Sequence, residues 1–446
     1  MTSAARIVSA PGSLPILGHA PRLLRAPLPF LASLPEAGDL VRMRFGPVTA
    51  LLVCDPALTR QVLLDDRAFD KGGPLFVRLR ETFGEDIVTC PHAQHRRLRR
   101  LLQPAFHADR FPAYTHDMRE QIDTVVSSWK DGQVIDVLDE MQRITARTAV
   151  VTMFGGALTD PAVQNTLEDL TVIMRTVYRR MLTPHLFDRV PTRANRRYEQ
   201  ARARLRSTAA AVITAYNADT PDSGDLLSKL LSTRDDAEEG LTDDEINGQV
   251  MSFFFGATET TAATVAWALH LLSTHPAAEA RLHEEVDRLV TADPAGPPHL
   301  TQTERVITET LRLYPPGWLL TRITTTDTRL GGHAVPARTT ILLSPYVIHH
   351  RPDLYPQPER FDPQRWADPT LTPVLRAGFV PFGGGARKCL GDHFAVTQAT
   401  LALAAIAARW RMTAVSGRRV RPTLGIVLNP QGLRLRVAAR RDGTAT

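Results

Sequence analysis

The sequence predicts a mainly α-helical protein with small β-sheets. From about Arg96 to Leu282 the apolar residues recur at helical spacing, with long Arg/Glu/Ala/Leu segments and few strand-like runs. Near the N-terminus, Val41 to Phe45 and Val48 to Val53 flank Gly46-Pro47 like the arms of a hairpin. With 446 residues, 43% hydrophobic and 22% charged, the chain is able to bury a large core and is not of disordered composition. The apolar run Leu401 to Ala408 falls far short of the roughly 18 residues of a membrane span. No export signal is legible before Pro11, so a cytoplasmic location is expected.

The elements follow in order. Pro11-Gly12-Ser13 and Pro15 make an irregular start before the hairpin. After the first helices, Asn217 to Asp244 is polar and acidic with Pro221 and Gly224; it reads as a surface connection in which Leu226 to Leu231 can form a short helix. Thr242-x-x-Glu245 is a capping box that opens a long helix, which must stop by Pro276. At about 1.5 Å per residue that helix spans roughly 45–50 Å, enough to cross a domain. A polar break from Thr291 to Pro298 and a proline-rich reach from Pro315 to Pro381 precede a glycine-rich loop and a last helix ending near Trp410. There is no internal repeat and no recognisable linker.

Lys plus Arg 53 against Asp plus Glu 47 leaves a net charge of +6, too mild to argue for nucleic acid. Arg96, Arg97, Arg99 and Arg100 read first as a solvated helix face. The three cysteines, Cys54, Cys90 and Cys389, are odd in number and have no C-x-x-C spacing, so neither a disulfide framework nor a zinc site is supported.

The most informative stretch is Pro381-Phe382-Gly383-Gly384-Gly385-Ala386-Arg387-Lys388-Cys389-Leu390-Gly391, followed at once by a helix. Glycines let backbone approach a flat ligand, while Arg387, Lys388 and the helix N-terminus favour an ionised cysteine. A phosphate loop fails in detail: G-x-x-x-x-G-K-[ST] needs Gly where Arg387 stands and Ser or Thr where Cys389 stands. Phe382, Gly383, Gly385, Arg387, Cys389 and Gly391 instead match F-G-x-G-x-R-x-C-x-G, so the chain resembles the cytochrome P-450 family. The resemblance implies haem b with Cys389 as the axial thiolate, the ligand that favours O–O cleavage.

Further motifs are similar to the family's in the same order. Glu309-x-x-Arg312 places opposite charges one helical turn apart before Tyr314-Pro315-Pro316, and only this E-x-x-R pair precedes a proline break. With Arg365 it resembles a buried Glu-Arg-Arg triad, Gln364 and Trp366 standing where the family usually has Glu and Phe. In the long helix Gly256, Ala257, Thr260 and Thr264 share one stripe. There Gly256-Ala257-Thr258-Glu259-Thr260-Thr261 resembles the oxygen-activation motif, in which Glu259 and Thr260 organise proton delivery; Ala257 replaces a usual glycine. His95 and Arg99, four apart, are similar to a pair that meets a haem propionate, with Arg322 and Arg387 as further partners.

These motifs run from His95 to Gly391, so the resemblance implies one domain with the cytochrome P-450 fold. The stretch after Gly391 is too short for a flavin domain, so a ferredoxin and a ferredoxin reductase are the expected electron donors, to a monomeric enzyme. The function implied is a haem-thiolate monooxygenase that inserts one oxygen atom into an apolar substrate. A peroxygenase and a basic helical binding protein using segments 96–100 and 195–206 are the competing readings. Apolar segments that line the pocket in this family are Phe253 to Phe255, Trp318, Leu319, Leu320 and Ile426, Val427, Leu428. They offer few charges to anchor a fatty acid and favour a hydrocarbon over it, with steroids and macrolides as alternatives. The segments Pro11 to Pro15, Gly72 to Leu79 and Tyr178 to Met181 are similar to bacterial members that oxidise sesquiterpenes, which points to a cyclic terpene.

Overall fold

A computed structural model of the chain describes residues 7–46, 48–156, 158–181, 187–188, 190–215, 225–234, 240–291, 300–369, 376–415 and 420–440. The first helices are α1 (Ala20–Arg25), α2 (Pro27–Ala32), α3 (Pro56–Leu64), α4 (Gly73–Phe83), α5 (His92–Leu102), α6 (Phe111–Val126) and α7 (Val137–Phe154). They are followed by α8 (Asp160–Met181), α9 (Arg193–Ala215), α10 (Leu226–Ser232), α11 (Asp243–Thr274), α12 (Pro276–Thr291), α13 (Thr301–Leu313), α14 (Pro345–His349) and α15 (Asp392–Arg409). The strands are β1 (Ile7–Ser9), β2 (Leu40–Phe45), β3 (Val48–Val53), β4 (Phe69–Asp70), β5 (Val134–Asp136), β6 (Leu320–Thr324) and β7 (Thr328–Leu330). They continue with β8 (His333–Val335), β9 (Thr340–Leu343), β10 (Trp410–Ala414), β11 (Arg421–Leu424), β12 (Leu428–Gln431) and β13 (Arg434–Ala439).

The hairpin forms in the register its turn requires, with Phe45 opposite Val48 and Leu40 opposite Val53. It is the middle of a six-stranded sheet of order β1-β2-β3-β9-β6-β4. Strands β6 and β9 come from the proline-rich reach, where no strand was legible: β6 runs antiparallel to β9, and β9 runs parallel to β3. This sheet carries Arg322 towards the interior, where it is buried.

The long helix α11 is the axis of the helical body. Its capping box closes in both directions, Glu245 N donating to Thr242 Oγ1 at 3.2 Å and Thr242 N to Glu245 Oε2 at 2.9 Å. Acids at Asp243, Asp244 and Glu245 suit the positive end of the helix dipole, and the helix ends at Thr274, two residues before Pro276. Buried alanines 257, 262, 263, 266 and 268 keep its surface low where α7 and α15 cross it. Thr145 Oγ1 on α7 donates to Thr258 O on α11 at 3.2 Å, tying the two helices together.

One reading of the polar connection needs correction. Leu226, Leu227 and Leu230 of α10 belong to the main core, so this part is an inserted helix and not a surface strap. Four-residue apolar spacing buried it; the flanking polarity hid it. Residues 216–224, 235–239 and most of the Thr291 to Pro298 break lie outside the described residues.

Candidate active site

The cysteine loop is held by backbone that only glycine adopts freely. Gly383 and Gly385 have φ of +70° and +64°, and a Cβ on Gly385 would sit 2.2 Å from Leu63 O. Cys389 N donates to Phe382 O at 3.0 Å, which closes the loop just before α15. Phe106 lies against Gly391 and meets Phe253 of α11 edge-on, with centroids 5.8 Å apart, so the loop and the long helix share one wall.

Among the three cysteines Cys389 alone is exposed to solvent. Crowding by protein nevertheless raises its thiol, with the Gly391 N–H acting in the opposite direction, a combination that marks a group lining an internal space. A metal held here would take the sulfur as thiolate in exchange for its proton. Burial pushes the Cys54 thiol up to about 12 and raises that of Cys90, so both are ordinary buried thiols.

On α11, a Cβ placed on Gly256 would meet nothing within 4 Å, so the open side of the helix falls at this residue. Thr260 Oγ1 donates to Gly256 O at 2.7 Å, and Thr264 Oγ1 to Thr260 O at 2.9 Å. Glu259, one residue before Thr260, points elsewhere: its Oε1 accepts from Gln142 Nε2 of α7 at 2.8 Å. Burial pushes its carboxyl up to about 7, with Gln142 and Arg175 acting against that rise. Thr261 is buried. Gln142 was not legible in the sequence, because nothing in α7 signals which residue crosses to α11.

A cluster of cations lies on one side of this space. His95 is buried on α5, and burial with Arg387, Lys71 and Arg99 nearby pulls it down to about 3; it is a neutral donor and not a cation. Arg99 Nη1 donates to Lys388 O at 2.7 Å, joining α5 to the cysteine loop. Arg322, expected as a further propionate partner, is 4% exposed, and burial beside Arg387 pulls it down to about 10. Lys71, absent from the sequence reading, is pulled down to about 7 by burial and by Arg322 and Arg387.

Arg387 itself is engaged by protein. It donates to Asp70 Oδ1 at 2.7 Å, Asp66 Oδ2 at 3.2 Å and Cys90 O at 2.9 Å, pinning the cysteine loop to the segment before α5. His92, likewise missed, caps this arrangement through Asp66 at 3.1 Å. Crowded positive charge of this kind calls for added carboxylates, such as the propionates of a haem would supply.

The Glu309 cluster stands behind the site. Arg312 forks onto Glu309 with both bonds at 2.9 Å and donates to His349 O at 2.9 Å and Arg360 O at 3.2 Å; both side chains are 0% exposed. Arg365 Nε reaches Glu309 Oε1 at 3.4 Å. The two departures from the family pattern are used as well: Trp366 Nε1 donates to Glu309 Oε2 at 2.9 Å, and Gln364 Nε2 to Gln302 Oε1 at 2.7 Å.

The apolar residues named for the substrate pocket separate by side. Phe254 faces Phe154 of α7 at 6.3 Å, and Trp318 is core, its indole donating to Gly425 O at 2.9 Å. Phe253 faces Phe106, whereas Phe255, half-buried, faces Phe83 of α4 at 6.0 Å. A helix turns about 100° per residue, so three adjacent phenylalanines cannot line one wall. Leu319 and Leu320 are partly buried at the start of β6, and Ile426 and Val427 form the turn between β11 and β12. Over this region α4 is held to the end of α8: Arg78 donates to Arg180 O at 3.2 Å and pairs with Asp188 at 2.6 Å.

A flat dianionic macrocycle whose metal takes a thiolate suits the open helix face, the accessible cysteine and the crowded cations together. The comparisons name that class. The family model for cytochrome P450 matches residues 9–437. The chain is 43% identical over 439 residues to pentalenene oxygenase of Streptomyces avermitilis, covering 98% of each. It is 43% identical over 432 residues to cyclooctatin synthase of Streptomyces melanosporofaciens, covering 96% of this chain and 94% of that one. Its structure superposes on the cytochrome P450DA haem domain with a TM-score of 0.86 at 26% identity, over 98% of this chain and 99% of that one. The chain belongs to the cytochrome P450 family: it is a haem-thiolate monooxygenase, and its cofactor is haem b. That class replaces the basic binding protein as a reading of the arginine-rich helices.

Proposed function

We propose that the enzyme hydroxylates a cyclic terpene hydrocarbon, taking its electrons from a ferredoxin and ferredoxin reductase. The observation that carries the substrate class is the similarity, over nearly the whole chain, to an enzyme named for pentalenene. The half-buried Phe255, Leu319, Leu320 and Ile426 add an apolar lining that selects by shape and contact. Arg96, Arg100, Arg110 and Lys229, which outnumber Asp66 and Asp109, line a cleft of about 780 Å³ that also touches Ala386 of the cysteine loop, a surface suited to an acidic electron carrier.

When bound, haem supplies the activation of dioxygen for insertion of one oxygen atom. Cys389 would hold its iron, and His95, Arg99, Lys71 and Arg322 would meet its propionates. Gly256 leaves room beside α11 for a small molecule, and Thr260 Oγ1 presents a hydroxyl at that opening. Glu259 exchanges its proton near pH 7 and passes it on through local reorientation of its carboxyl, with Gln142 holding the resting position.

This arrangement has a pH signature. Glu259 carries its proton below about pH 7 and loses it above, so product formed per electron is expected to fall as pH rises through that value. Thr260→Ala should lower this ratio at every pH and raise hydrogen peroxide, while haem content and substrate affinity stay unchanged. Oxygen, peroxide and product measured together check it; unchanged coupling in Thr260→Ala would remove the hydroxyl from proton delivery.

The substrate is tested by titrating cyclic sesquiterpenes, steroids and long-chain fatty acids into the holoenzyme and following the shift of the haem absorption band. Cyclic sesquiterpenes are expected to bind most tightly and to give hydroxylated product with a ferredoxin system. Productive binding of fatty acids alone would reject the terpene reading.

A further inference from the structure

The exposed large apolar side chains are concentrated at the N-terminal end of the sheet. Leu14, Ile16, Leu17, Leu24 and Val48 are 47%, 84%, 55%, 61% and 40% exposed. Those around the hairpin turn are neighbours in space: Leu14 and Gly18 form a β-bridge, Gly18 bridges to Phe45, and Gly46 N donates to Leu17 O at 3.4 Å. Ile16 stands at the tip with φ of +62°. A β-branched residue is strongly disfavoured there, so the backbone is strained while the side chain it carries stands in water. A strained, water-exposed apolar tip gains nothing from the fold that holds it and gains from a partner that covers it.

The charge around the tip says what kind of partner. Residues 1–35 contain no Asp or Glu. Arg44 Nη2 donates to Leu14 O at 3.1 Å, and the Arg22 guanidinium lies over Gly12, so cations flank the turn on both sides. Arg25 and Arg42 are exposed close by in sequence, on α1 and β2. Among the described residues, none of Arg22, Arg25, Arg42 and Arg44 is paired with a carboxylate. Exposed apolar side chains flanked by arginines without a carboxylate partner match an anionic bilayer, headgroups meeting the guanidinium groups and acyl chains meeting Ile16 and Leu17.

We propose that this face docks the enzyme peripherally on an anionic lipid surface. No helix among the described residues is long and apolar enough to cross a membrane. A bilayer is also where a hydrocarbon accumulates; that consequence rests on the substrate reading above, whereas the docking itself does not.

Flotation of the full-length holoenzyme with vesicles of phosphatidylcholine, with and without added phosphatidylglycerol, tests it. The protein is expected to float only with the anionic vesicles at low salt and to be released at high salt. The double variant Ile16→Asn, Leu17→Ser should lose flotation, keep its carbon-monoxide spectrum and melt no lower than the parent, because asparagine tolerates the left-handed backbone. Arg22→Gln with Arg25→Gln should lose flotation too. Failure of the parent to float, or equal flotation of the Ile16/Leu17 variant, would overturn the proposal. A parent dimer that the same variant converts to monomer would overturn it as well, by assigning the face to a second copy of the chain.

Discussion

Cys389→Ser is expected to abolish both turnover and the red-shifted carbon-monoxide band of the reduced enzyme. A serine hydroxyl stays protonated at neutral pH and is a far poorer ligand than sulfur, so no anionic donor remains on the loop. The backbone of the loop should survive, because its geometry rests on Gly383, Gly385 and the Cys389 N to Phe382 O bond, none of which involves the sulfur. Cys54→Ser and Cys90→Ser should leave both signals in place, since those thiols are buried whereas Cys389 is exposed. Difference spectra and product assays on the three variants check this; full activity in Cys389→Ser would refute the ligand assignment.

Arg312→Lys is expected to impair haem incorporation and stability, although it keeps the charge. The guanidinium makes two bonds to Glu309 and one each to His349 O and Arg360 O. An ammonium is a point donor that cannot fork onto a carboxylate and reach two carbonyls in other directions. At about 1.5–3 kcal/mol for each lost bond to a charged group, losing two of the four gives an expected cost of about 3–6 kcal/mol, a large share of an ordinary folding free energy. Arg365→Lys should cost less, since Arg365 reaches Glu309 only at 3.4 Å and its other bonds lie near the surface. The ratio of haem to protein and the melting temperature of both variants check the ranking; normal haem content in Arg312→Lys would show that the triad does not support the haem site.

The sequence alone determined the features that are local in the chain. The hairpin at Gly46, the capped start and proline-limited end of α11, and the glycine-rich loop before Cys389 are each set by backbone preferences of consecutive residues, and each appears where it was expected. Glu309 and Arg312 are one turn apart, so their fork was legible too. The tertiary structure decided what depends on residues far apart in the chain. It buried Arg322 on a strand that forms by pairing with β9 and β4, and it brought Lys71 and His92 to the side of Arg387. It set Gln142 against Glu259 and gave Trp366 an acceptor on Glu309. It also turned Phe254 and Trp318 into the core, leaving Phe255 against α4. The reason is common to all of these: a helix face or a strand register tells where a side chain leaves its own element, but its surroundings come from elements distant in sequence. Desolvation and partner charge are properties of those surroundings, so the neutral His95 and the raised Glu259 carboxyl exist only once the chain has folded.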